Sequence, residues 1–141
     1  MRCLGLDLGS KTLGIAISDR TNLIASVYKT IFFKDEDYSS LIEPLREIVL
    51  NEDIDTIVLG LPKNMNNSLG TRAMITLDFK EMIEKELNIS VVMEDERLTS
   101  VISNNILISA NISRNKRKKK VDGMAAEIIL QSYLDRLRKG N

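Results

Sequence analysis

A single acid in an otherwise apolar strand constrains what the start of this chain can build. Cys3-Leu4-Gly5-Leu6-Asp7-Leu8-Gly9 alternates with a period of two. Leu4, Leu6 and Leu8 therefore share one face, and Gly5, Asp7 and Gly9 share the other. A charge in such a strand is costly unless a cation or hydrogen-bond donors neutralise it. The flanking glycines leave no side chain in the way of a ligand. After the short link Ser10-Lys11-Thr12, Leu13-Gly14-Ile15-Ala16-Ile17-Ser18 repeats the pattern. Two paired strands, each with one bulky and one nearly bare face and with one acid between them, predict a platform for a metal or a phosphate.

Histidine is absent and cysteine occurs once in the 141 residues. Zinc sites draw on Cys and His, so this composition argues against a structural zinc, and it excludes a Ser-His-Asp triad and a histidine general base. Carboxylates, lysines, arginines and hydroxyls remain, and all-oxygen ligand sets suit magnesium or manganese. One cysteine allows no internal disulfide and fits a reducing cytoplasm. No apolar run approaches the roughly 20 residues that cross a bilayer, and no signal peptide is visible. The formal net charge is zero, but residues 1–96 hold 10 basic and 17 acidic side chains, and residues 97–141 hold 10 basic and 3 acidic. That asymmetry is compatible with a nucleic-acid partner.

Strand patterns cover about 2–9, 12–19 and 23–33, close enough in sequence for an antiparallel meander. A helix is expected at about 39–51, with Leu41, Leu45, Ile48 and Val49 on one stripe, Ser39 or Ser40 as cap and Pro44 near its start. The continuous apolar run at 56–61 reads as a strand buried on both faces. A polar loop follows from 62 to 70, then a helix at 71–87 with Ile75, Phe79, Met82, Ile83 and Leu87 on one side. A short strand at 90–93 leads into Glu94-Asp95-Glu96-Arg97. Thr99 could cap a helix at about 99–110. A basic loop would then precede a last helix at 122–139, with Leu130, Tyr133, Leu134 and Leu137 as its stripe. This order predicts one α/β domain over 1–141, a mixed five-stranded sheet flanked by helices.

In open α/β sheets, ligands bind beyond the carboxyl ends of the parallel strands. Asp7, the acids after the 90–93 strand and Asp122 could converge there from three elements. Converging carboxylates repel unless cations lie between them, and one or two magnesium ions would resolve that. Each acid also has a plainer reading. Asp7 could accept from the amides of Ser10 or Thr12. Any of Glu94, Asp95 and Glu96 could be solvated. Asp122 is equally suited to cap the last helix. Arg114-Asn115-Lys116-Arg117-Lys118-Lys119-Lys120 holds six cations in seven residues. It is either a solvated loop or a rim that holds a polyanion by its phosphates. Lys11 and Arg72 are further candidates for phosphate contact.

Four segments together resemble the YqgF/RuvX family, small bacterial proteins described as pre-16S rRNA nucleases and as Holliday-junction-resolvase-like. They are Gly5-Leu6-Asp7-Leu8-Gly9-Ser10-Lys11-Thr12-Leu13-Gly14 with Ala16 and Ser18-Asp19; Val58-Leu59-Gly60-Leu61-Pro62 with Asn64-Met65; Asp95-Glu96-Arg97-Leu98-Thr99-Ser100; and Lys119-Lys120-Val121-Asp122 with Ala125-Ala126 and Ile129–Leu134. The resemblance implies a ribonuclease-H-like fold and a catalytic, metal-binding triad of Asp7, Glu96 and Asp122. It implies a metal-dependent nuclease that matures the 5′ end of 16S rRNA in the cytoplasm. Magnesium or manganese is the metal expected from composition, ribosomal particles are a further expected partner, no membrane is expected, and monomer and homodimer both stay open. Lys11, Arg72, Arg97, Lys116, Arg117, Lys118, Lys119 and Lys120 are the candidate substrate contacts. The chain departs from the family at Asn67, where glycine is expected, and at Gly123, where a larger residue is commoner. Two other readings are a Holliday junction resolvase and a non-catalytic nucleic-acid or ribosome-binding module. The Asp7–Thr12 turn also resembles that of sugar kinases and actin-type ATPases. Those enzymes need two lobes, and 141 residues supply one.

Overall fold

Alternation in the first two strands works as expected in the computed structural model, which describes residues 2–61, 70–95 and 114–138, with side chains of the last helix described over 124–137. Strands β1 (Arg2–Leu8), β2 (Thr12–Ser18) and β3 (Ala25–Phe32) form the antiparallel meander. β4 (Ile54–Leu61) and β5 (Ser90–Asp95) add in parallel on the other side of β1. The sheet order is β3-β2-β1-β4-β5. Each parallel addition needs a crossover, and helices α1 (Ile42–Asn51) and α2 (Thr71–Leu87) lie in those connections.

Both crossover helices pack on the leucine face. Leu4, Leu6, Leu13, Ile15, Ile57 and Leu59 meet Leu41, Leu45, Phe79 and Ile83 in one buried cluster. The opposite face takes helix α3 (Arg114–Arg138). There Cys3, Ala16, Ala25 and Val58 meet Ala126, Ile129, Leu130 and Leu134.

Several boundaries differ from the sequence reading. Ser39 and Ser40 do not cap α1: their hydroxyls donate to Asp37, to Oδ1 at 3.1 Å and to the carbonyl at 2.7 Å. They form part of a 3-10 turn, Tyr38–Leu41, that leads into α1. β4 begins two residues earlier than its apolar run, at Ile54, which is buried. α2 has the expected bounds and stops at Asn88, whose N–H makes the last i→i−4 bond, to the Glu84 carbonyl, and whose left-handed backbone then turns the chain out of the helix.

The basic segment 114–120 is not a loop but the first two turns of α3. Lysine and arginine are good helix formers, and no glycine or proline interrupts the chain before Gly123. Asp122 consequently lies within the helix and not at its N-cap. Leu137, expected on the apolar stripe, is exposed. The expected helix at 99–110, Asn67 and the loop acids and cations from Glu96 to Thr99 lie outside the described residues.

Candidate functional site at the carboxyl end of β1

Asp7 is the penultimate residue of β1 and is half-buried. Its partner across the antiparallel ladder is Gly14. On the parallel side Leu6 pairs with Leu59, so the register carried one residue further sets Gly60 beside Asp7. Glycines thus flank the acid in both neighbouring strands. The bareness along β1 has a different cause. A Cβ on Gly5 would lie 2.7 Å from the Leu130 Cβ and 2.9 Å from the Ala126 carbonyl oxygen. Gly5 therefore makes room for α3, not for a ligand. This corrects the expectation that the whole glycine face is open.

The turn after Asp7 is closed tightly. The Gly9 N–H donates to the Thr12 carbonyl at 2.8 Å, and Phe33 donates to the Lys11 carbonyl at 2.9 Å. Lys11 itself is exposed at the tip. Arg72, at the start of α2, turns inward. Its Nη2 donates to the Leu8 carbonyl at 2.9 Å and its Nη1 to the Tyr38 hydroxyl at 3.1 Å. One donor is thus spent on the end of β1 and one on the 3-10 turn, and phosphate contact is left to the rest of the fork.

α3 sets the other side of the site. Ala126 and Leu130 straddle Gly5, and Leu134 belongs to the cluster around Cys3. Moving back along the helix thus follows β1 toward its carboxyl end. One turn before Ala126 the helix backbone reaches Asp122. The Gln131 side chain fixes the far end, accepting from Ala25 N–H at 2.8 Å and donating to the Leu23 carbonyl at 2.9 Å. Burial, reinforced by the Asp55 charge, pushes the Cys3 thiol under this helix up to about 11.

Of the acidic triplet, Glu94 is buried and Asp95 exposed. Glu94 accepts from Ser132 Oγ at 2.9 Å and from Arg136 Nη1 at 2.9 Å, with Arg136 Nη2 2.7 Å from its other oxygen. Sequence reasoning missed this trio. The signal was present as a serine and an arginine four residues apart on one helix face. Glu96, Arg97 and the side chains of Lys116, Arg117, Lys118, Lys119, Lys120 and Asp122 are outside what the structure describes. Among the described residues no three acids gather as a metal site, and no helix is long and apolar enough to cross a membrane.

The β1–β2–β3 meander with parallel strands added beyond β1 and helices on both faces is a ribonuclease-H-like fold. It superposes on Thermus thermophilus RuvC in complex with a Holliday junction substrate, with TM-score 0.61 at 11% identity over 98% of this chain and 96% of that one. The fowlpox virus resolvase bound to Holliday junction DNA gives 0.59 at 15% identity over 97% and 99%. The chain belongs to the family whose model is described as "RuvX: Holliday junction resolvase", matched over residues 1–136. A Clostridium botulinum protein is 48% identical over 139 residues, 99% of this chain and all of that one. A Geobacillus protein is 47% identical over 135 residues, 96% and 98% of the two chains. Both carry the name "Putative pre-16S rRNA nuclease".

Proposed function

We propose that this chain is a divalent-metal-dependent nuclease that hydrolyses phosphodiester bonds, with the 5′ end of pre-16S rRNA in the cytoplasm as its natural substrate. The observation that carries the reading is Asp7, a half-buried acid at the carboxyl end of the central strand β1, flanked by Gly14 across the ladder. The near-full-length relatives named for pre-16S rRNA support the substrate.

Asp7, Glu96 and Asp122 would hold magnesium or manganese. A set of carboxylate oxygens fits such hard cations, and the chain has no histidine to recruit a softer metal. A divalent ion bound there supplies charge stabilisation at the phosphoryl group and activation of the attacking water. The chain's own cations hold the polyanion. Lys11 stands at the exposed tip of the turn beside Asp7, and Arg72, Arg97 and the 116–120 run are its partners in this role. That run lies in the turns of α3 that precede Asp122, so the cations and the acid share one rigid element. Such contacts fix the backbone without reading its sequence.

The family's description as a Holliday junction resolvase favours four-way DNA as the second reading. A cleavage panel separates the two: a 5′-extended 16S rRNA fragment and a four-way DNA junction, each with Mg2+ or Mn2+, using wild type and Asp7→Asn. The expected result is RNA cleavage by wild type and a loss on the order of 10³-fold in Asp7→Asn, since a site missing a ligand gives up several kcal/mol of charge stabilisation. Preference for the junction moves the assignment to the second reading. Metal-dependent cleavage undiminished by Asp7→Asn would overturn the site. Tight binding of either substrate without cleavage would make the chain a binding module.

A further inference from the structure

The strongest unused feature is the buried acid at the end of β5. We propose that Glu94, Ser132 and Arg136 form a positioning clamp that locks the end of β5 to α3 and so fixes the spacing between the acid that follows β5 in sequence, Glu96, and the acid that α3 carries, Asp122. The inference rests on the proposed nuclease site and deepens it.

Glu94 is 6% exposed, so water cannot neutralise its charge. An unpaired buried carboxylate would be costly, and a partner set is required. Among the described residues the set comes wholly from α3. Arg136 Nη1 and, one turn earlier, Ser132 Oγ both donate to Oε2, while Arg136 Nη2 lies 2.7 Å from Oε1 as an ion pair; among the described residues Oε1 accepts no hydrogen bond. Two-point arginine contacts of this kind impose orientation as well as attraction. The guanidinium also lies 5.7 Å from the centre of the Tyr133 ring, which limits its freedom to swing away.

The position of this clamp gives it a consequence for the site. Glu94 pairs with Gly60 of β4, the residue that the register places beside Asp7. From Glu94 the chain passes in two residues to Glu96. Ser132 lies ten residues after Asp122 on the same uninterrupted helix. The clamp therefore ties the strand that leads to one proposed ligand to the helix that carries another. Groups that orient metal ligands without touching the metal commonly change metal affinity or activity by 10- to 100-fold when removed.

The test uses the full chain with Mn2+ as probe. Calorimetry gives Mn2+ affinity, steady-state cleavage of the RNA fragment gives kcat and KM, and a thermal melt controls for folding. Glu94→Gln and Arg136→Met should weaken Mn2+ binding and lower kcat about 10-fold with KM for RNA little changed. Arg136→Lys should recover part of the loss. Ser132→Ala, at an exposed position, keeps the fold and should give the smallest drop.

Melting temperatures that fall while Mn2+ affinity and kcat stay at wild-type values would reduce the trio to a structural contact and overturn the proposal. So would Glu94→Gln abolishing Mn2+ binding while the Arg136 and Ser132 variants leave it intact, because Glu94 would then be a ligand. If Asp7→Asn loses Mn2+ but all clamp variants keep it, the clamp alone fails. If wild type binds no Mn2+, the site reading fails and takes the clamp with it.

Discussion

The two faces of the sheet use opposite side-chain economies. Toward α1 and α2 the strands present leucine and isoleucine, and the layer is thick and fully buried, from Leu4 and Leu6 through Ile57 and Leu59 to Phe79. Toward α3 they present mostly small residues, glycine, alanine, cysteine and serine with one valine, Val58, and the helix comes within a methyl group's width of the backbone at Gly5. One face supplies most of the apolar burial. The other gives up volume, which draws α3 close and leaves Asp7 with glycine neighbours in the adjoining strands.

The contrast can be broken from either side. Phe79→Ala should give the largest effect, about 3–5 kcal/mol by urea denaturation, because it empties the thick layer. It should leave the α3 face closed. Gly5→Val should cost about 1–3 kcal/mol, because the added side chain meets the helix backbone at Ala126 and not only a rotatable group. Its signature is Cys3. The native thiol, raised to about 11 and buried under α3, should resist iodoacetamide at pH 8. It should react faster in Gly5→Val than in Phe79→Ala when both are compared under folding conditions. Equal labelling in the two variants would mean that α3 does not open independently.

Smaller effects probe the ends of the strands. Tyr38→Phe removes the hydroxyl that takes Arg72 Nη1 and should cost about 1 kcal/mol. It should also weaken cleavage if Arg72 holds the end of β1 for Asp7. The smallest effect belongs to Asp19, at the turn between β2 and β3. Its carboxylate accepts from the Thr21 hydroxyl and from the Leu23 and Ile24 amides, which hold it down to about 2. A carboxyl lowered on folding stabilises above its unfolded value of 3.8, and that contribution is lost as pH falls toward 2. An Asp19→Asn variant should therefore show a flatter decline in melting temperature between about pH 4 and 2.

Much of this architecture was legible because it depends on local period. Leu4, Leu6 and Leu8 against Gly5, Asp7 and Gly9 define a strand with two unequal faces, and the mixed sheet follows from the order of the elements. The start of α3 is not legible in the sequence because lysine-rich segments have no apolar period, and periodicity cannot distinguish a charged loop from a charged helix. Ser39 and Ser40 suit a cap by type, but Asp37 captures both hydroxyls first. Asp7 stood out as one charge among apolar residues. Glu94 did not, because its burial depends on two side chains about forty residues away.

What the sequence alone determined is the pattern: which strand faces are bulky, which are bare, and that one acid lies on the bare one. These are properties of neighbours in the chain, fixed by the two-residue period of an extended backbone. What only the tertiary structure decided is what the bare face is for. Gly5 receives a helix, Arg72 turns to the Leu8 carbonyl, and Glu94 is paired with Ser132 and Arg136. Each of these depends on close approach between residues far apart in sequence, where sub-ångström packing and the cost of an unpaired buried charge select the partner.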